Sequence, residues 1–175
     1  MTPQQGHSMN ISQALLPEFD QEMANTRKVL ERVPVAKFSW KPHPKSFEFG
    51  ALAAHVANMA EWANLTLESD SFDYAPPGRE PYQTPQFKTT EALVAAFDKA
   101  VAAARSALQA ADDAKMMAPW TLMAGGKVMM TMPKAAVIRT FVMNHVIHHR
   151  GQLTVYLREN DIPVPGLYGP SADEQ

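Results

Sequence analysis

The segment Asn144–Arg158, NHVIHHRGQLTVYLR, decides how this chain is read. Its apolar residues recur at helical spacing. Pro133, upstream, suits a first helical position, so a helix is predicted from just after Pro133 to about Asn160. Pro163 and Pro165 forbid its continuation. His145 and His149 stand four residues apart in it, which stacks them on one face with Cβ atoms about 5–6 Å apart. At about 100° per residue, with His145 at zero, Ile138 and Tyr156 fall near 20°, Val142 near 60° and Leu153 near 80°. The core-facing stripe is then centred at roughly 20–30°. His149, near 40°, lies inside it, and His148, near −60°, lies on its edge. The pair is therefore His145 and His149.

Three more amphipathic helices precede this one. The first carries Phe19, Met23, Thr26, Leu30 and Val33, ends before Pro34, and tolerates Pro17 only in its first turn. The second is predicted from about Ser46 to Ser69 with Ser46 as its N-cap, and places Leu52, His55, Met59 and Trp62 on one face. The third begins after Thr89 and Thr90 and carries Leu93, Val94, Phe97, Val101, Ala104 and Leu108. These segments predict an all-α fold, a four-helix bundle in a single domain spanning 1–175.

The connections refine that expectation. The stretch from Asp70 to Lys88 holds Pro76, Pro77, Pro81 and Pro85 and is predicted to be irregular. A 20-residue helix is roughly 30 Å long, and such a link reaches about 60 Å when extended. It can therefore run back along the bundle and leave helices two and three parallel. Part of it, Tyr74 to Pro85, is placed to rim a pocket. Between helices three and four, Gly125-Gly126 separates short apolar runs and predicts a small hairpin over Trp120 to Met132.

His55 points inward on helix two as the histidine pair does on helix four. A buried imidazole needs a partner for both ring nitrogens, and an unmet one costs about 1–3 kcal/mol. A lone core histidine is usually structural; three that converge point to a metal. With no cysteine in the chain, any metal must be held by His, Asp or Glu. Three nitrogens with the other positions open describe a catalytic or substrate-binding ion rather than a closed structural one. The ligand type favours zinc or nickel and admits iron or manganese. Gln152 and Tyr156 continue the histidine line and are candidates to line the pocket, with a core aromatic the equal alternative for Tyr156. Asn58 is a candidate to support His55. Glu48 is a candidate base, though a charge at a helix N-terminus explains it as well. Arg150, near 140°, is expected at the surface or an interface. His7 and His43 are expected to be exposed without a role.

Composition excludes other classes. The net charge is −2, with 16 Lys+Arg against 18 Asp+Glu and no basic stripe, which argues against nucleic-acid binding. No apolar run is long enough to span a membrane, and the polar start is no signal peptide, so a cytoplasmic location is expected.

The segment Asn144–Arg158, the tail from Pro163 to Glu174, the stretch from Leu16 to Asp20 and the stretch Phe49–His55 together resemble the DinB-like family of metal-binding four-helix bundles. The resemblance runs over nearly the whole chain. It implies an up-down-down-up bundle, a metal on His55, His145 and His149, frequent homodimers and a link to stress response. It also implies kinship with bacillithiol transferases and mycothiol-dependent maleylpyruvate isomerases, in which a metal activates a low-molecular-weight thiol. Met143 and Ile147, with Ala53, Ala57 and Ala60 on helix two, are expected on outer faces open to a partner subunit or covered by the hairpin or the proline-rich link.

Two functions follow as expectations. The first is a metal-dependent thiol transferase, or a hydrolase using bound water, acting on a small-molecule substrate. The second is a non-catalytic stress-response binding or sensing bundle, suggested by the lack of an inward Asp or Glu near the histidines. A hemerythrin-like di-iron carrier would need more histidines and bridging carboxylates and does not fit.

Overall fold

A computed structural model describes residues 9–174; His7 lies outside them. Helix α1 (Ile11–Leu30) starts earlier than the sequence pattern suggests. Asn10 accepts from the Gln13 N–H while the Gln13 side chain accepts from the Asn10 N–H, a capping box. Ser12 Oγ also donates to the Ala111 carbonyl at 2.7 Å, and the Ile11 N–H donates to Asp113 at 2.8 Å. These bonds hold an extra stretch of helix, so Pro17 sits inside α1 and not in its first turn.

Helix α2 (Phe49–Glu68) starts three residues after Ser46, which instead closes a turn by donating its N–H to the His43 carbonyl. Its first amides are taken by the preceding loop: Phe49 N–H reaches the Trp40 carbonyl at 2.8 Å and Gly50 N–H the Phe38 carbonyl at 2.9 Å. A Cβ on Gly50 would lie 2.8 Å from the Phe38 ring, so only glycine admits this approach. Glu48 falls at the N-cap position, exposed and without a side-chain capping bond.

Helix α3 (Thr90–Ala110) is capped by Thr89 and followed by the short α4 (Asp113–Met117). The last helix, α5 (134–159), is continuous but not uniform. Lys134–Val137 is α-helical, Ile138–Met143 is a π turn, and Asn144–Glu159 is α-helical again.

Cross-contacts set the helix directions. Arg27–Asp98 and Arg105–Asp20, each at 2.8 Å, join opposite ends of α1 and α3, so these run antiparallel. Lys115, just past α3, pairs with Glu68 at the end of α2 at 3.3 Å, so α2 and α3 run parallel. Tyr156 packs on Phe49 and His145 on Trp62, which makes α5 antiparallel to α2. The order is up, down, down, up, as the long second connection allows.

The chain is not purely all-α. Within the proline-rich link, Ser71–Asp73 forms β1, which pairs in parallel with β2 (Pro119–Ala124); β2 pairs antiparallel with β3 (Lys127–Pro133). The hairpin turn uses Gly125 and Gly126 at φ of 60° and 76°, the geometry of a two-residue type I′ loop. Asp73 accepts from both glycine amides, at 3.1 and 2.7 Å, which ties the link to the hairpin tip. Local pattern could not reveal β1, because its partner lies about fifty residues downstream.

Two expectations about outer faces are overturned. Met143, Ala53, Ala57 and Ala60 are buried in the core, because α5 packs on both α1 and α2, and α2 packs on α3. Arg150 is 1% exposed rather than on the surface. Its guanidinium pairs with Glu22 at 2.6 Å and donates to the Glu22 carbonyl, the Thr26 hydroxyl and the Tyr168 hydroxyl. Tyr168 in turn donates to the Glu22 carboxylate, so the tail closes the network.

Arg150→Met should leave the Glu22 carboxylate buried without its cation and cost about 3–5 kcal/mol in urea unfolding. Adding Glu22→Leu should recover most of that loss, since a hydrophobic replacement for the whole pair is often neutral. A single variant as stable as the parent would show that the pair does not hold α1 to α5.

Candidate metal centre

Helix α5 presents a core face and a site face. Its buried residues Val142, Met143, Val146, Arg150, Leu153 and Leu157 cluster near about 100° from His145. The histidines therefore flank the core and do not point into its middle; His55, His145 and His149 are each half-buried. The sequence projection missed this by treating Arg150 as a surface residue and by giving α5 one packed side instead of two.

The three imidazoles meet between α2 and α5. Ring centroids are 4.7 Å apart for His145–His149, 4.8 Å for His55–His149 and 5.2 Å for His55–His145. One nitrogen from each lies within 4.8 Å of the others, and no carboxylate joins the group among the described residues. Phe47 stacks on His55 at 6.1 Å with an interplanar angle of 19°, and Trp62 contacts both His55 and His145 at 5.7 and 5.6 Å. The cluster thus sits between two aromatic walls.

Its hydrogen bonds define which nitrogens are free. His149 Nδ1–H donates to Gln152 Oε1 at 2.7 Å, leaving His149 Nε2 with a lone pair. Gln152 Nε2 donates to His148 at 3.3 Å, so His148 is an exposed neighbour outside the trio. His145 Nε2 lies 2.9 Å from His149 Nε2 and must supply the proton between them. That choice leaves His145 Nδ1 buried with no hydrogen-bond partner. A cation taking both Nε2 lone pairs would leave the His145 proton on Nδ1 instead. The orphaned nitrogen, the all-imidazole donor set and the short separations together fit a metal ion.

Electrostatics agree. Burial, then the neighbouring His149 and His145, push the His55 imidazole from its ordinary 6.5 down to about 4. His145 and His149 are also lowered, chiefly by burial. All three are therefore neutral near pH 7, the form that ligates.

The remaining candidates are placed as follows. Tyr156 lies in the core against Trp40 and Phe49, its hydroxyl donating to the Phe47 carbonyl at 3.1 Å. Asn58 donates to the Tyr82 hydroxyl at 2.5 Å. His43 is exposed, and its imidazole Nδ1 accepts from the Lys45 amide.

A cavity of about 410 Å³ adjoins the cluster, with His145 and Trp62 in its wall. Helix α2 adds Leu65, the link adds Phe72, Tyr74 and Tyr82, the hairpin adds Trp120, Leu122 and Met130, and α5 adds Phe141. Sequence reading placed the link at a pocket rim and Trp62 on the face of His55. It had no means to bring Trp120, Leu122 and Met130 there, because the sheet that carries them is paired across distant segments.

Comparison with known proteins gives a consistent result. The sequence model of the DinB family matches residues 7–175. A stretch of 43 residues is 44% identical to the uncharacterized protein YrdA of Bacillus subtilis, spanning 25% of each chain. A DinB-like protein from Bacillus cereus superposes with a TM-score of 0.65 at 21% identity, over 88% of this chain and 95% of that one. The DinB-like protein YjoA from B. subtilis superposes with a TM-score of 0.65 at 15% identity, over 93% and 98%. At these identities the structures attest the fold.

A pKa held below its unfolded value means that the unfolded chain binds more protons between the two values. Stability of metal-free protein should therefore fall as pH drops from 6.5 towards the His55 value of about 4, and this group should add nothing to the slope above that window. Melting curves of His55→Gln should show a shallower decline over the same range. An unchanged slope would contradict a desolvated, neutral His55.

Proposed function

The chain belongs to the DinB family, and from that membership and its histidine cluster we propose a metal-dependent enzyme. It activates a low-molecular-weight thiol, or water, for attack on an electrophilic small molecule. The observation that carries this reading is the convergence of His55, His145 and His149, one nitrogen from each within 4.8 Å. Three imidazoles favour zinc or nickel and admit iron or manganese. When bound, such an ion supplies Lewis acidity that lowers the pKa of a coordinated thiol or water.

The rest of the chemistry falls to the chain's own residues. Gln152 holds the His149 tautomer with its Nε2 lone pair free. Phe47 and Trp62 cover the imidazoles and limit water around the reacting sulfur. In a transfer, the thiol gives its proton to solvent, the sulfur lone pair forms the new S–C bond, and the leaving group departs with the bonding pair. In an addition to an activated alkene, the displaced π pair takes up a proton instead. A homodimer in a cytoplasmic, stress-related setting belongs to the same reading, with an interface away from the buried Met143, Ala53, Ala57 and Ala60.

The lack of a carboxylate in the cluster favours, as a second reading, a binding or sensing bundle without turnover. Elemental mass spectrometry on protein purified without added metal should find about one divalent ion per chain. His149→Ala should lose both the ion and any conjugation of a thiol panel to chlorodinitrobenzene. Gln152→Leu should weaken metal binding by about 10–100-fold while leaving the fold intact. Full turnover by a metal-free His149→Ala protein would sink the enzyme proposal; a bound ion with no turnover across the panel would favour the second reading.

A further inference from the structure

We propose that the cavity beside the histidines binds an uncharged, apolar and largely aromatic compound, and that this compound is the electrophile of the reaction above. Its role rests on the proposed function, whereas its binding does not. A volume of about 410 Å³ falls within the range of small-molecule sites. Trp62, Phe72, Trp120, Leu122 and Met130 are part of a largely apolar wall, and among the described residues no Lys, Arg, Asp or Glu lines it. An anionic group held against this wall, away from the histidines, would shed its hydration and meet no cationic side chain, a cost of several kcal/mol. An aromatic hydrocarbon skeleton would instead replace water against aromatic faces.

Three further observations support a ligand here. Tyr74, Tyr82 and Phe141 line the cavity yet remain 41%, 40% and 39% exposed, so aromatic side chains of its wall reach the surface. Asn58 fixes the Tyr82 hydroxyl, so this part of the wall is held in place. The Trp120 indole N–H, in a side chain only 5% exposed, has no acceptor among the described residues. Buried donors are nearly always satisfied, and a carbonyl or ether oxygen on a neutral ligand would satisfy this one. His145 belongs to the same wall, so an apolar guest would adjoin the histidine cluster.

The test is a fluorescence titration of the full chain with the neutral probe N-phenyl-1-naphthylamine, before and after chelation. Saturable binding is expected in both forms, with displacement by naphthalenemethanol. Naphthalenedicarboxylate should displace the probe from the chelated form at least about tenfold less well, because its charges find no partner among the lining side chains. Met130→Glu, on the half-buried sheet wall, should weaken the probe by about tenfold or more with an unchanged melting temperature and metal content. Absence of saturable binding, equal displacement by the neutral compound and the dianion, or a folded Met130→Glu that binds like the parent would overturn the assignment. The competition is read on the unaltered chain, so it decides the matter even if Met130→Glu does not fold. Probe binding without thiol transfer counts against the proposed function alone; thiol transfer to iodoacetamide without probe binding counts against this cavity alone.

Discussion

A guanidinium in the middle of a helical bundle tolerates very few arrangements, and Arg150 has found one. Its charge is answered by Glu22 at 2.6 Å, and its other N–H groups by a carbonyl and two hydroxyls. Rotating α5 about its axis would break these bonds together and strand a buried charge, so the rotation of α5 is fixed by polar geometry and not by apolar packing alone. His149 is the preceding residue and stands about 100° away around the helix. Once Arg150 faces α1, His149 must face the groove towards α2, and His145, one turn earlier, faces it too. The position of the metal cluster is therefore a consequence of an ion pair that never touches it.

The partition of α5 into a core flank and a site flank explains what the sequence made legible. The four-residue spacing of His145 and His149, Pro163 beyond the last helix and the Gly125-Gly126 turn are local signals, and each corresponds to what is observed; the third helix starts at Thr90, one residue before the expected start. Residues whose environment depends on a distant partner were misread. Arg150 looked like a surface residue because Glu22 lies far away in sequence, and Met143 looked outward because α1 was not known to pack there. Pro17 looked like a helix start because the anchors of the preceding turn, Ala111 and Asp113, come from the distant junction of α3 and α4. The cavity was the least legible part, since two of its walls belong to a sheet whose first strand lies inside a proline-rich link.

The cluster and the cavity divide the chemistry between them. Three neutral imidazoles, flanked by Phe47 and Trp62, form a polar point beside aromatic surfaces, with a donor set that could hold a cation. The adjoining aromatic space offers no charge of its own and leaves reactivity to that point. Such a division separates activation from recognition. The hairpin and β1 can change what is recognised without disturbing the helices that carry the histidines.

The π turn at Ile138–Met143 lies between these two parts. A π turn closes i to i+5 where an α turn closes i to i+4, so it absorbs one residue more than the regular helix around it. Deleting one residue there would let the helix wind uniformly while Lys134, with the hairpin behind it, kept nearly its present phase relative to His145. The extra residue therefore changes what the helix shows within the turn, at Phe141 and Val142 in the cavity wall, and leaves the histidines and the hairpin in register. Over evolutionary time a single codon can be gained or lost at this stretch without dismantling the histidine cluster, and the shape of the adjoining wall is what such a change would alter.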